Sequence, residues 1–158
     1  MRDLGRILYA TDFSPASQVA FPHALRLARV TGAELTILHV LPSPVSGFIG
    51  PAYVPPETWD DLHAEVRGQA DRAMDRLIAQ AVEAGVRASA AIVEGGDVPG
   101  DEIVRVARDA KADMIVVGTH GRTGIAKALL GSVASRVVAT ATCPVLTVRA
   151  PEPGEGRP

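Results

Sequence analysis

The residues best equipped for chemistry lie between positions 118 and 132. Gly118-Thr119-His120-Gly121-Arg122-Thr123-Gly124 is followed by Gly131-Ser132, so that the glycines fit the spacing G-x2-G-x9-G-[S/T]. Glycine lets the backbone take conformations closed to other residues and approach a ligand closely. Consecutive N–H groups in such turns form concavities that hold anions. A helix opening at Ser132 would add unpaired N–H groups and a partial positive charge. Ser132 supplies a hydroxyl and Arg122 a permanent cation whose planar fork matches phosphate oxygens. Together these parts describe a phosphate cradle. Glycines that only make turns would look similar, and the spacing is what favours the cradle.

Other chemistries lack their residues. There is no G-x-x-x-x-G-K-[ST] segment, and no G-x-G-x-x-G follows the first apolar run. Ser132 sits in Leu-Gly-Ser-Val-Ala, which is not a nucleophile elbow. No His/Cys cluster has zinc spacing, so any metal is expected to be Mg²⁺ or Mn²⁺ held by a ligand's own phosphates. The net charge of −2 gives no electrostatic case for nucleic acid. The one cysteine, Cys143, cannot close a disulfide within the chain and reads as a packed residue. The N-terminus has no signal-like apolar stretch, and no run approaches the length of a membrane span. A cytoplasmic protein without a membrane partner is the expectation.

The elements that must position the cradle alternate between strand and helix. Ile7 to Ala10 is an apolar strand ending at Thr11-Asp12. Ser14-Pro15 opens a helix expected to run to Val30, with Gly32 beyond its end and Ala20, Ala24, Leu27 and Ala28 as its buried stripe. Pro22 inside that helix predicts a bend or a 3₁₀ turn. Leu35 to Leu41 is a second strand, and Pro42 to Pro56 is a long Pro- and Gly-rich connection. A long helix from Glu57 to Ala84 follows, with Leu62, Val66, Ala73, Leu77 and Ala81 at helical spacing. Tyr53 and Trp59 flank the connection and could cover a ligand. Ala88 to Val93 is a third strand. The next helix carries the stripe Ile103, Val106, Ala107 and Ala110. Met114 to Val117 has no polar alternation and reads as a central strand covered on both faces. Ser132 to Ala141 is the last helix and Val145 to Val148 the last strand. Strand and helix in alternation imply an open parallel sheet with helices on both faces, because right-handed crossovers return over either face. Residues 1–149 are expected to form one domain and 150–158 a disordered tail.

Several runs resemble the universal stress protein family. They are Ile7-Leu8-Tyr9-Ala10-Thr11-Asp12-Phe13-Ser14, Leu38-His39-Val40, Val117 to Gly124, Leu130-Gly131-Ser132-Val133 and Cys143-Pro144-Val145-Leu146. The likeness spans about residues 5–149. It implies an adenine nucleotide α-hydrolase-like fold, a five-stranded parallel sheet in the order 3-2-1-4-5. It also implies the ATP-binding branch, in which the glycine pattern holds the phosphates of ATP, AMP or ADP. By that resemblance Asp12 lies beside the nucleoside, and Val40 contacts adenine, partly through its backbone. The candidate nucleotide-binding residues are Ala10, Thr11, Asp12, Val40, Gly118, His120, Gly121, Arg122, Gly131, Ser132 and Val133. Asp12 could instead cap the first helix, and Thr11 and Ser14 read more readily as turn and cap residues than as ligands. A homodimer through Val145, Leu146, Thr147 and Val148 is implied as well. The turn from Gly96 to Gly100 is one residue longer than the resemblance leads one to expect.

Three functions compete: an ATP-binding regulatory protein of the stress response, a slow ATPase or phosphoryl-transfer enzyme, and a structural dimer with an empty site. The first is favoured, because no base and no metal-holding carboxylate pair stands beside the glycines. No catalytic residue is assigned.

Overall fold

In the computed structural model, residues 3–41, 56–96, 98–120 and 130–151 are described. Among them the chain runs β1 (Arg6–Ala10), α1 (Pro15–Gln18), α2 (Phe21–Thr31), β2 (Glu34–Leu41), α3 (Pro56–Glu83), β3 (Ala88–Glu94), α4 (Pro99–Asp109), β4 (Met114–Gly118), α5 (Ser132–Thr140) and β5 (Val145–Val148). The sheet is parallel, in the order β3-β2-β1-β4-β5. Ile7 sits opposite Leu35 on one side and Met114 on the other, so β1 is the central strand.

Period-two alternation divides the core into two layers. Ile7, Tyr9, Leu35, Ile37 and Val116 point to one face and pack with Phe21, Ala24 and Ala28 of α2 and Met74 and Ala81 of α3. Leu8, Ala10, Leu38, Ile115 and Val117 point to the other, against Ile103, Val104 and Ala107 of α4 and Ala134 and Val137 of α5. The unbroken apolar run of β4 is therefore buried on both sides, as its composition requires.

Three expectations are corrected. Pro22 does not bend a helix. The segment is two helices broken after Gln18, and Pro22 stands in the first turn of α2, where a missing N–H costs nothing. Thr31 ends α2, and Gly32 follows with φ 72°, the left-handed form that favours glycine. The buried stripe of α3 lies further along than expected. Leu62 and Val66 are 51% and 41% exposed, while Ala70, Met74 and Ala81 are buried. At 1.5 Å per residue a 28-residue helix is about 42 Å long, against roughly 27 Å for an eight-residue strand, so its two halves cannot both lie on the sheet. On α4 the buried residues are Gly100, Ile103, Val104 and Ala107. Val106 and Ala110 are only half-buried.

Candidate functional site

The carboxyl end of β1 is fixed by a dense local network. Thr11 N–H donates to Leu38 O at 2.9 Å, joining the loop to β2. Asp12 Oδ1 accepts from Ser14 N at 2.9 Å, and Thr11 Oγ1 accepts from Phe13 N at 3.0 Å. Between them Phe13 takes φ 61°, a costly conformation for a bulky residue. Its ring lies 4.4 Å from that of His39, and His39 Nδ1 donates to Thr11 O at 2.8 Å. Ser14 Oγ caps α1 by accepting from Ser17 N. Ser17 Oγ donates to Ser14 O, so the 3.0 Å contact between Thr11 and Ser17 hydroxyls has Thr11 as donor. Tyr9 OH donates to Ser17 O at 2.9 Å, and burial pushes its phenol up to about 12. Asp12 thus acts as a turn-capping carboxylate, and Thr11 and Ser14 as the turn and cap residues their types suggest.

The end of β4 needs a glycine for a packing reason. A Cβ on Gly118 would stand 2.5 Å from Ala16 O and 3.0 Å from Ser17 Cα, so the backbone of α1 rests directly on this strand end. Thr119 N–H then donates to Val148 O at 2.9 Å, and Gly131 N–H to Thr119 O at 2.6 Å, which ties the start of α5 to the end of β4. Gly131 is the N-cap of α5, with φ −59° and ψ 157°, an extended conformation open to any residue. Its importance therefore does not come from backbone freedom. Having no side chain, it offers no capping oxygen, and helix geometry leaves the N–H groups of Ser132, Val133 and Ala134 without an acceptor inside the helix. The N-terminus of α4 converges on the same place. A Cβ on Gly100 would meet Arg136 Cβ at 2.8 Å, so α4 and α5 cross closely there. Arg136 grips the Asp101 carboxylate at 2.6 and 3.1 Å and holds it below the usual carboxylate range.

These strand and helix ends enclose a cavity of about 310 Å³. Ala10, Leu38, Val40, Ile103 and Val117 give it apolar wall, and Thr11, Asp12, Thr119, His120 and Ser132 give it polar wall. Ala10, Thr11, Asp12, Val40, Gly118, His120, Gly131, Ser132 and Val133 all meet in this one space. Gly121 and Arg122 lie outside the described residues, as does Tyr53. Trp59 is half-buried on α3 and is not part of the wall. The sequence reading missed His39, Pro99 and Ile103. Their signal was the alternation itself, since each helix after a parallel strand starts at the same sheet edge. His120 Nδ1 lies 2.9 Å from Thr119 Oγ1, while its Nε2 is enclosed and has no hydrogen-bond partner among the described residues. Cys143 is half-buried, and burial pushes its thiol up, away from reactivity. A larger cavity of about 710 Å³ opens at the opposite sheet edge around Leu4, Lys111 and Cys143, and none of the described candidate residues lines it. Among the described residues no group of three or more His, Cys, Asp or Glu could hold a metal, and no helix is long and apolar enough to cross a membrane.

The cavity opens where the strand order reverses between β1 and β4, the place at which open α/β sheets take their ligands. Sheet order and helix placement define an adenine nucleotide α-hydrolase-like fold. The chain belongs to the universal stress protein family, whose family model matches residues 4–149. It is similar to the universal stress protein MJ0531 of Methanocaldococcus jannaschii, 38% identical over 148 residues, which are 93% of this chain and 83% of that one. Among solved structures it is similar to MJ0577 of the same organism, with a TM-score of 0.84 and 28% identity over 96% of this chain and 100% of that one. It is also similar to a universal stress protein solved in complex with cAMP, with a TM-score of 0.59 and 29% identity over 94% of this chain and 98% of that one.

Proposed function

We propose that this chain is a cytoplasmic stress-response protein that binds ATP and acts by binding rather than by turnover. The observation that carries this reading is the convergence of Ala10, Asp12 and Val40 with the uncapped N-terminus of α5 on one cavity. The volume lies at the lower end of the roughly 300–1,000 Å³ usual for small-molecule sites. The apolar wall suits a nucleobase, with Val40 beside adenine and Asp12 beside the nucleoside. The N–H groups of Ser132 and Val133, together with the glycine-rich segment through Gly121 and Arg122, suit the phosphates. Mg²⁺ or Mn²⁺ would arrive on those phosphates, since no described cluster replaces them as ligands. The cAMP complex of a relative supports an adenine nucleotide as the ligand class.

Mg-ATP is expected to stabilise the fold. At a hundred times its dissociation constant the gain is about 2.7 kcal/mol, which for a domain of this size raises the melting temperature by roughly 5–10 °C. A calorimetric scan with and without Mg-ATP checks this, and an unchanged melting temperature at millimolar ligand would sink the reading. Phosphate release followed in the same samples separates binding from slow hydrolysis.

The proposal extends to a homodimer of the single domain spanning residues 1–149. β5 lies at the edge of the sheet, and Val145, Leu146 and Thr147 are only half-buried there. An apolar edge strand invites pairing, and a two-fold axis would pair it antiparallel with its own copy. Light scattering at micromolar concentration is expected to give twice the chain mass. A mass near 16.5 kDa would overturn the dimer.

A further inference from the structure

We infer that His120 distinguishes a phosphorylated nucleotide from a bare nucleoside by taking up a proton as the phosphate arrives. The inference rests on the nucleotide reading above and adds to it a specificity residue and a dependence on pH. Its starting point is the enclosed Nε2 of His120, which has no hydrogen-bond partner among the described residues, while Nδ1 sits 2.9 Å from Thr119 Oγ1. A hydroxyl can donate or accept. If Thr119 donates, the single ring hydrogen is on Nε2 and is a donor without an acceptor. If Thr119 accepts, Nε2 is an acceptor without a donor. Either neutral form strands one buried polar atom, and such atoms in native structures call for an explanation.

The doubly protonated ring resolves this when an anion is beside it. Nδ1–H then donates to Thr119 Oγ1, and Nε2–H donates to a phosphate oxygen, in the charge-assisted kind of bond that is the stronger one. Without the anion the same ring would be an enclosed cation facing the positive end of α5. Among the described residues, the other titratable groups on this cavity are Asp12 from the β1–α1 turn and His39 from β2. Asp12 accepts from Ser14 N–H, and His39 Nδ1 is turned to Thr11 O, so both have structural duties in the loop. The phosphate is therefore the group that draws the proton in. The reaction is an association of protein, nucleotide and one proton, with no bond made or broken. By linkage, affinity for ATP rises as pH falls through the range where imidazoles titrate, and adenosine, which has no phosphate, shows no such rise.

The test is calorimetric titration of the full chain with Mg-ATP near pH 6.5, in two buffers of different ionisation enthalpy. A fractional proton uptake per ATP is expected, with none for adenosine. ATP is expected to bind about tenfold tighter at about pH 6 than at about pH 8, a difference of roughly 1.4 kcal/mol. His120→Gln keeps an amide donor that does not titrate. It is expected to abolish the uptake and flatten the pH profile. The ligand's own protonation acts equally on both proteins. ATP binding to the wild type without proton uptake overturns the inference and leaves the nucleotide reading standing, and so does equal uptake by His120→Gln. Failure of both ATP and adenosine to bind overturns both. If His120→Gln does not fold, His120→Asn, whose amide also does not titrate, supplies the same comparison.

Discussion

Gly118→Val is expected to lower the melting temperature by about 6–12 °C. The new Cβ would stand 2.5 Å from Ala16 O, and no rotamer relieves a contact that involves backbone on both sides. Overpacking costs about 1–3 kcal/mol, the upper figure applies where the clash is with backbone, and each kcal/mol is worth roughly 2–4 °C in a domain of this size. Relief requires α1 to lift from β4. Ser17 moves with α1, and through it the hydrogen bonds to Tyr9, Thr11 and Ser14, so ATP affinity should fall together with stability. Gly5→Ala is the control, because a Cβ there would meet Asp113 Oδ2 at an ordinary 3.6 Å. Its effect on stability should stay within about 0.5 kcal/mol. Differential scanning calorimetry of the two variants checks the pair. A Gly118→Val protein melting within a degree of the wild type would refute the packing account of this glycine.

Ser132→Asp should move stability and binding in opposite directions. A carboxylate at the first position of α5 complements the helix dipole, worth about 0.3–1 kcal/mol, so the melting temperature should hold or rise slightly. The same charge would occupy the positive end assigned to the triphosphate. Losing one or two charge-assisted hydrogen bonds, each worth about 1.5–3 kcal/mol, corresponds to at least tenfold and about a hundredfold or more if both go. Adenosine, which makes no demand on that end, should bind nearly as before. Titration calorimetry with ATP and with adenosine reads the difference. If Ser132→Asp binds ATP within threefold of the wild type, the N-terminus of α5 does not hold the phosphates.

The strand positions were legible in the sequence because each strand is a short apolar run closed by a polar or glycine residue. β5 was bounded correctly at Val145 and Val148, and β4 lengthened by only Gly118. The helix start marked by a cap residue and a proline at Ser14-Pro15 was legible too. Pro22 was misread because Ser14-Pro15 opens a helix and Ala20, Ala24 and Ala28 follow at helical spacing, so the break after Gln18 leaves no mark in the apolar pattern. Leu62 and Val66 were misread for a different reason. Helical spacing says which residues share a face, and it cannot say where the sheet beneath that face stops. The glycine spacing pointed to the sheet edge where the cavity of about 310 Å³ lies, but it did not give each glycine its own duty. Gly118 serves packing, and Gly131 leaves the start of α5 without a capping oxygen. His39 was passed over because a histidine between apolar strand residues looks like core, and its bond to Thr11 O spans 28 positions in the chain.

A glycine at the start of α5 also sets two kinds of natural selection against each other. Serine, asparagine or aspartate at position 131 would cap the helix and strengthen the fold by a few tenths of a kcal/mol relative to glycine, and the extended dihedrals there would accept any of them. Each would also place an oxygen over the N–H groups that the cavity exposes. A lineage under pressure only to be durable would drift toward the cap, and one that depends on the ligand would be held at the weaker residue. In such a lineage the bound anion itself completes the first turn of α5, so part of the protein's secondary structure is supplied by a molecule the gene does not encode.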